Sequence, residues 1–174
     1  MGIRTVRTEG DECLRKVCKP VKSVSLRTRI LIEDMFDTMY ESGGVGLAAP
    51  QIGVLKRIVV MDTDDNQHVL INPQILEVSG EQTGYEGCLS IPGKSGIVTR
   101  PDYVKVKALN ERGEEYVLEG EGLLARCICH ECDHLDGILY SDKAEGGLIN
   151  NEDLPEDEEE EPVSYTHLRA HETL

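Results

Sequence analysis

Residues 130–134 read His130-Glu131-Cys132-Asp133-His134, and no other segment limits the fold as tightly. On an α-helix two imidazoles four residues apart share a face, one turn from each other. So placed they can hold one metal ion, and the glutamate beside the first can reach a bound water. The flanking sequence agrees. Glu121–Leu135 predicts a helix whose apolar and thiol residues are Leu123, Leu124, Cys127 and Ile128, with a stop near Gly137. A catalytic site of this kind needs a third protein ligand and an open fourth position.

That third ligand is a downstream Glu or His, or a cysteine. Glu145 lies eleven residues beyond His134 in a Gly-rich stretch, and the later acids belong to an acidic run, so the downstream choices are poor. Cysteine is the better choice. The six cysteines read as thiols or ligands, because a cytosolic chain of this size needs no disulfide scaffold. Cys88 sits in Glu86-Gly87-Cys88-Leu89-Ser90, a loop-like segment that can present both a thiolate and backbone N–H groups. Cys127 is three residues before His130 and suits a small hydrophobic position. Cys129 and Cys132 form a CxxC, a weak redox signal without a βαβ pattern. On the residues alone two other readings stay open: a metallopeptidase with a downstream ligand, and a non-catalytic metal or redox module built on Cys127, Cys129 and Cys132.

Elsewhere, residues 25–42 predict an amphipathic helix capped by Ser25 and stopped by Gly43-Gly44. Arg57–Asp62, His68–Asn72 and Gln74–Val78 predict strands. Tyr103–Leu109 and Tyr116–Leu118 predict a hairpin. Helices and short strands come in separate blocks, which favours an α+β fold. With no Trp and one Phe, the core must be largely aliphatic. No stretch approaches the ~18 apolar residues of a membrane span, and no signal peptide is evident, so the expected compartment is the cytoplasm. The net charge is −15, but nine acids against one Arg put −8 of it in residues 151–174. No dense basic patch favours direct nucleic-acid binding. Residues 1–147 read as the catalytic domain and 148–174 as a tail. Glu156–Glu161 is expected to be disordered. Pro162–Leu174 reads as a linker, tag or read-through, in which His167 and His171 also stand four apart.

Three separated segments together resemble the motifs of the peptide deformylase family: Gly44-Val45-Gly46-Leu47-Ala48-Ala49-Pro50-Gln51, Glu86-Gly87-Cys88-Leu89-Ser90 and His130-Glu131-Cys132-Asp133-His134. Their order and spacing fit over about residues 1–147. One departure is Cys129, where the family often has Gln. The resemblance implies antiparallel sheets packed around a central helix carrying the HExxH motif. It implies Cys88, His130 and His134 as metal ligands, Glu131 as acid and base, and Gln51 with the Leu89 N–H as oxyanion donors. It also implies pairing of the Gly44–Gly46 backbone with a peptide substrate, and a methionine pocket formed by Val45, Leu123 and Cys127. The implied metal is Fe²⁺, replaceable by Zn²⁺, Ni²⁺ or Co²⁺. The implied partners are N-formylmethionyl nascent peptides at the ribosome, met by a monomer. A further expectation is an ion pair between Arg100 and Asp133 that steadies the metal helix.

Overall fold

The computed structural model describes residues 2–155 together with Thr173 and Leu174. The acidic run Glu156–Glu161 and the pair His167 and His171 lie outside the described residues. The fold is α+β, as expected. Helix α1 spans Leu26–Glu41, and Ser25 caps it reciprocally with Thr28: each side chain receives the other's backbone N–H at 3.3 Å. Strands follow at Gly46–Ala48 (β1), Ile58–Asp62 (β2), Gln67–Ser79 (β3), Gln82–Cys88 (β4), Ile91–Arg100 (β5), Tyr103–Leu109 (β6) and Glu115–Glu121 (β7). Helix α2 spans Leu123–Leu135, and β8 closes the set at Glu145–Asn150.

Two antiparallel sheets result, one ordered β1-β2-β3-β6-β7 and the other β4-β5-β8. Alternation along the strands sorts the first sheet's two faces. Val59, Met61, Leu70, Val104, Val106 and Ala108 pack with α2. On the other face Ile58, Val60, Val69 and Ile71 pack with Leu31, Ile32, Met35, Phe36 and Met39 of α1. Strand β2 is therefore apolar from Ile58 to Met61. Helix α2 is buried on most of its circumference, including both histidines and Glu131. A third apolar cluster joins Cys88, Ile91 and Val98 of the small sheet to Leu14, Leu139 and Tyr140.

Helix α2 ends where the sequence predicts. Gly137 takes φ +76°, and a Cβ there would lie 2.5 Å from the Arg15 carbonyl oxygen, so only glycine fits. The two predicted strands His68–Asn72 and Gln74–Val78 are one strand, β3. Its register shifts between Ile71 and Gln74, beside Asn72 at φ +54°. The Asn72 side chain also pairs with the backbone of Val21, accepting at 2.8 Å and donating at 2.9 Å. Strands β4, β5 and β8 have no counterpart in the sequence reading. Strand β8 runs across the 147/148 boundary into a 3-10 turn at Asn151–Asp153, and Ser95 Oγ donates to Asn151 Oδ1 at 2.5 Å.

Candidate metal centre

Helix α2 supplies His130 and His134 on one inward face, with ring centroids 5.0 Å apart. The end of β4 supplies Cys88. The ligand atoms of these three buried residues lie within 4.8 Å of one another, with Cys88 Sγ 3.4 Å from His134 Nε2. Cys88 thus stands where a third ligand would be needed. The downstream alternative Glu145 instead accepts a hydrogen bond from Thr99 on β5, at 2.7 Å.

The donor set fits a divalent cation. His130 Nδ1 donates to Glu86 Oε1 at 3.0 Å, since a carboxylate can only accept, and Nε2 is the ring nitrogen left to face the cluster. That Nε2 is buried without a hydrogen-bond partner among the described residues. Burial lowers the pKa of His130, but Cys88 and Glu86 outweigh it and raise it to about 10. Surroundings that hold a proton so strongly also favour a cation. Both carboxylate oxygens of Glu131 are likewise buried and unpartnered among the described residues. Burial pushes that carboxyl up to about 7.

Glu86 anchors the arrangement. Arg100 donates to both of its oxygens at 2.8 and 2.9 Å, and Arg126 of α2 donates to Oε2 at 2.7 Å. Burial alone would raise the Glu86 pKa. Hydrogen bonds from Arg100 and His130 prevail and hold it well below the usual carboxylate range. Arg100 also donates to Asp133 at 2.8 Å, the expected ion pair, and Lys143 reaches the same carboxylate at 2.9 Å. Neither Glu86 nor Arg126 was assigned a role from sequence. The available signal was Arg126 itself, a charge on the apolar face of a helix that demands a buried partner.

Gln51 lies in the 3-10 turn Ala49–Ile52 and is fully buried. The Ala48 N–H holds its carbonyl at 2.9 Å. Its amide nitrogen donates to Ser90 Oγ at 3.1 Å and lies 3.6 Å from Cys88 Sγ. Gly44, Val45 and Gly46 follow α1 and enter β1, an edge of the large sheet, which faces the β4 edge of the small one. Thr173 and Leu174 lie between these edges. The Val45 N–H donates to the Thr173 carbonyl at 2.8 Å, the Leu89 N–H to Leu174 at 3.2 Å, and the Leu174 N–H to the Gly87 carbonyl at 3.4 Å. Leu174 is 2% exposed, within the apolar cluster that includes Cys127 and Ile128 and against which Val45, Leu123 and Leu124 pack. The residues expected to bind a peptide therefore surround one groove beside the three ligands. Thr173 and Leu174, from a stretch read as external to the fold, occupy it, because edge N–H and C=O groups and an apolar recess accept an extended chain. Cys129 and Cys132 sit outside the ligand cluster, and burial raises both thiols, Cys129 to about 11. This argues against a thiolate module on that side of the helix.

Known proteins share this sequence and arrangement. The family model described as polypeptide deformylase matches residues 3–147. A peptide deformylase of Agathobacter rectalis is 59% identical over 158 residues, covering 90% of this chain and 100% of that protein. Peptide deformylase 1 of Clostridium acetobutylicum is 59% identical over 143 residues, covering 82% and 95%. Among solved structures, a peptide deformylase from Legionella pneumophila superposes with a TM-score of 0.80 at 47% identity, covering 83% of this chain and 88% of that one. One from Synechococcus elongatus in complex with actinonin gives 0.80 at 42% identity, covering 82% and 79%. By a model match across nearly the whole folded body, and by relatives identical at more than half of the aligned positions, this chain belongs to the polypeptide deformylase family.

Proposed function

We propose that this chain hydrolyses the N-formyl group from the starting methionine of newly made proteins, releasing formate. The observation that carries this reading is the buried, unpartnered Glu131 carboxylate beside the cluster of Cys88, His130 and His134. Cys88, His130 and His134 would hold a divalent cation, which would supply Lewis acidity towards water and the formyl carbonyl. Glu131 takes a proton from the water as its oxygen attacks the formyl carbon. It then gives that proton to the α-amine nitrogen as the C–N bond breaks. Burial suits it to both duties, because a carboxyl titrating near neutrality can accept and return a proton.

Gln51 and Leu89 stabilise the negative charge that gathers on the formyl oxygen. Ser90 fixes the Gln51 amide, while the Leu89 N–H faces the groove. The Val45 N–H and the β4 edge pair with the substrate backbone, Gly44 leaves it room, and Gly46 lets β1 close on Glu131. Val45, Leu123 and Cys127 line the recess for the methionine side chain, the recess in which Leu174 is buried. A ligand set closed by Cys88 of β4 favours this reading over a metallopeptidase with a downstream ligand.

Ferrous iron is the metal that the resemblance implies, with zinc, nickel or cobalt as substitutes. No helix among the described residues is long and apolar enough to cross a membrane. We infer a cytoplasmic monomer that meets formylated nascent chains at the ribosome. The test is formate release from formyl-Met peptides by anaerobically purified, iron-loaded protein. Turnover of internal peptide bonds without formate release would overturn the reading.

A further inference from the structure

The geometry points to Tyr140 as a positioning residue for the metal centre, acting on His130 through the face of its ring. The inference rests on Cys88, His130 and His134 holding the ion. Glu86 grips His130 only along the Nδ1–H direction. Rotation of the imidazole about that hydrogen bond would still swing Nε2 off the ligand position. Tyr140 blocks this motion. Its ring stacks on His130 with centroids 5.9 Å apart and planes 29° from parallel, an arrangement that attracts as well as obstructs.

The tyrosine is itself fixed from three sides. Its hydroxyl donates to the Lys94 carbonyl of β5 at 3.2 Å. Its ring shares an apolar cluster with Cys88, so one side chain touches the surroundings of ligands from both helix and sheet. The 3-10 turn Tyr140–Asp142 that carries it is tied down by Arg15, which grips Asp142 at 2.6 and 3.1 Å. Tyr140 is therefore a strut between α2 and β5 whose ring face bears on His130 and whose hydroxyl is tied to Lys94.

The test measures release of zinc to a chromogenic chelator and the visible spectrum of the cobalt-loaded protein, for wild type, Tyr140→Phe and Tyr140→Leu. Stoichiometric uptake by the wild type comes first. A wild type that takes up no metal overturns the ligand set and this proposal together. Otherwise Tyr140→Leu should release zinc at least ~10-fold faster, the scale of outer-contact losses at metal sites, and shift the cobalt bands. Tyr140→Phe, which keeps the ring, should stay within ~3-fold of wild type with an unshifted spectrum. Wild-type release and spectrum in the Leu variant would overturn the proposal, as would a Phe variant as leaky as Leu. Should the Leu variant not fold, the wild-type zinc form decides. The carbon-bound ring protons of His130 must resonate upfield of those of a zinc-bound imidazole without an aromatic neighbour, and unshifted signals would overturn the stacking.

Discussion

The carboxylate of Glu131 fills the space that a side chain on Gly46 would need. A Cβ at Gly46 would lie 2.5 Å from Glu131 Oε2 and 2.7 Å from Cys127 Sγ. Strand β1 and helix α2 approach this closely only because position 46 has no side chain. The Gly46→Ala variant should therefore displace the carboxylate while leaving the three ligands in place. Metal content should be unchanged and kcat should fall on the order of 10²-fold, as for other small misplacements of a reacting group. Turnover within threefold of wild type would mean that the carboxylate can move without consequence.

Glu131→Gln preserves shape and removes the ability to take the water's proton. Bound metal should remain stoichiometric, and turnover should drop by ~10²–10⁴, the range for general acid–base groups. A variant that keeps most of its activity would remove Glu131 from the mechanism.

Cys88→Ala separates the ligand readings. Removing one of three protein ligands should leave the purified protein largely metal-free, while the Arg100–Glu86–Arg126 network holds the strand in place. Metal analysis beside a far-ultraviolet spectrum checks both halves. Full metal occupancy would put the third ligand elsewhere.

The buried Glu86 carboxylate makes stability depend on pH with a definite sign. Its folded-state pKa lies below the unfolded value of about 4.3, so its contribution is fully present above that value and is lost as pH falls through the folded one. Glu86→Gln should cost about 3–5 kcal/mol at neutral pH, because the buried Arg126 loses its counter-charge and Arg100 keeps only Asp133. Urea unfolding with chelator present should show the gap to wild type narrowing from about pH 5 towards pH 2. A gap that widens on acidification would contradict the assignment.

Metal identity should decide resistance to oxidation. A thiolate with two imidazoles holds both Fe²⁺ and Zn²⁺. The same protein loaded with iron or with nickel, then exposed to air, should lose formate-releasing activity faster in the iron form, since Fe²⁺ itself changes oxidation state. Equal decay would put the damage on the Cys88 thiol alone.

Sequence reveals the helical half of this structure better than the sheet half. Both helices have a regular apolar spacing and glycine stops, and α1 has its Ser25 cap as well, all written within a single segment. Strands β4 and β5 hide because Gly84, Gly87, Pro92, Gly93 and Gly96 make them read as loop. At Gly96 the reason is tertiary: a Cβ there would lie 2.8 Å from both Ala144 and Leu148. That crowding exists only once β8 has docked, so no local pattern announces it. The ligands themselves were legible through three short motifs. Their supports were not, because Glu86, Arg126 and Tyr140 acquire meaning only by meeting across α2, β4 and β5.

The groove between the β1 and β4 edges has a consequence for breadth of use. Amide and carbonyl groups are common to every polypeptide, so a cleft that grips them beyond the first side chain does not discriminate among the later residues of its substrate. A single machine of this design can serve nearly every product of translation, with its selectivity concentrated on the one residue that all of those products share. The same groove sets two strand borders facing each other, with Thr173 and Leu174 paired between them. Their proximity admits one extended chain and leaves little room for another folded molecule to add its own strand, a common route to aggregation.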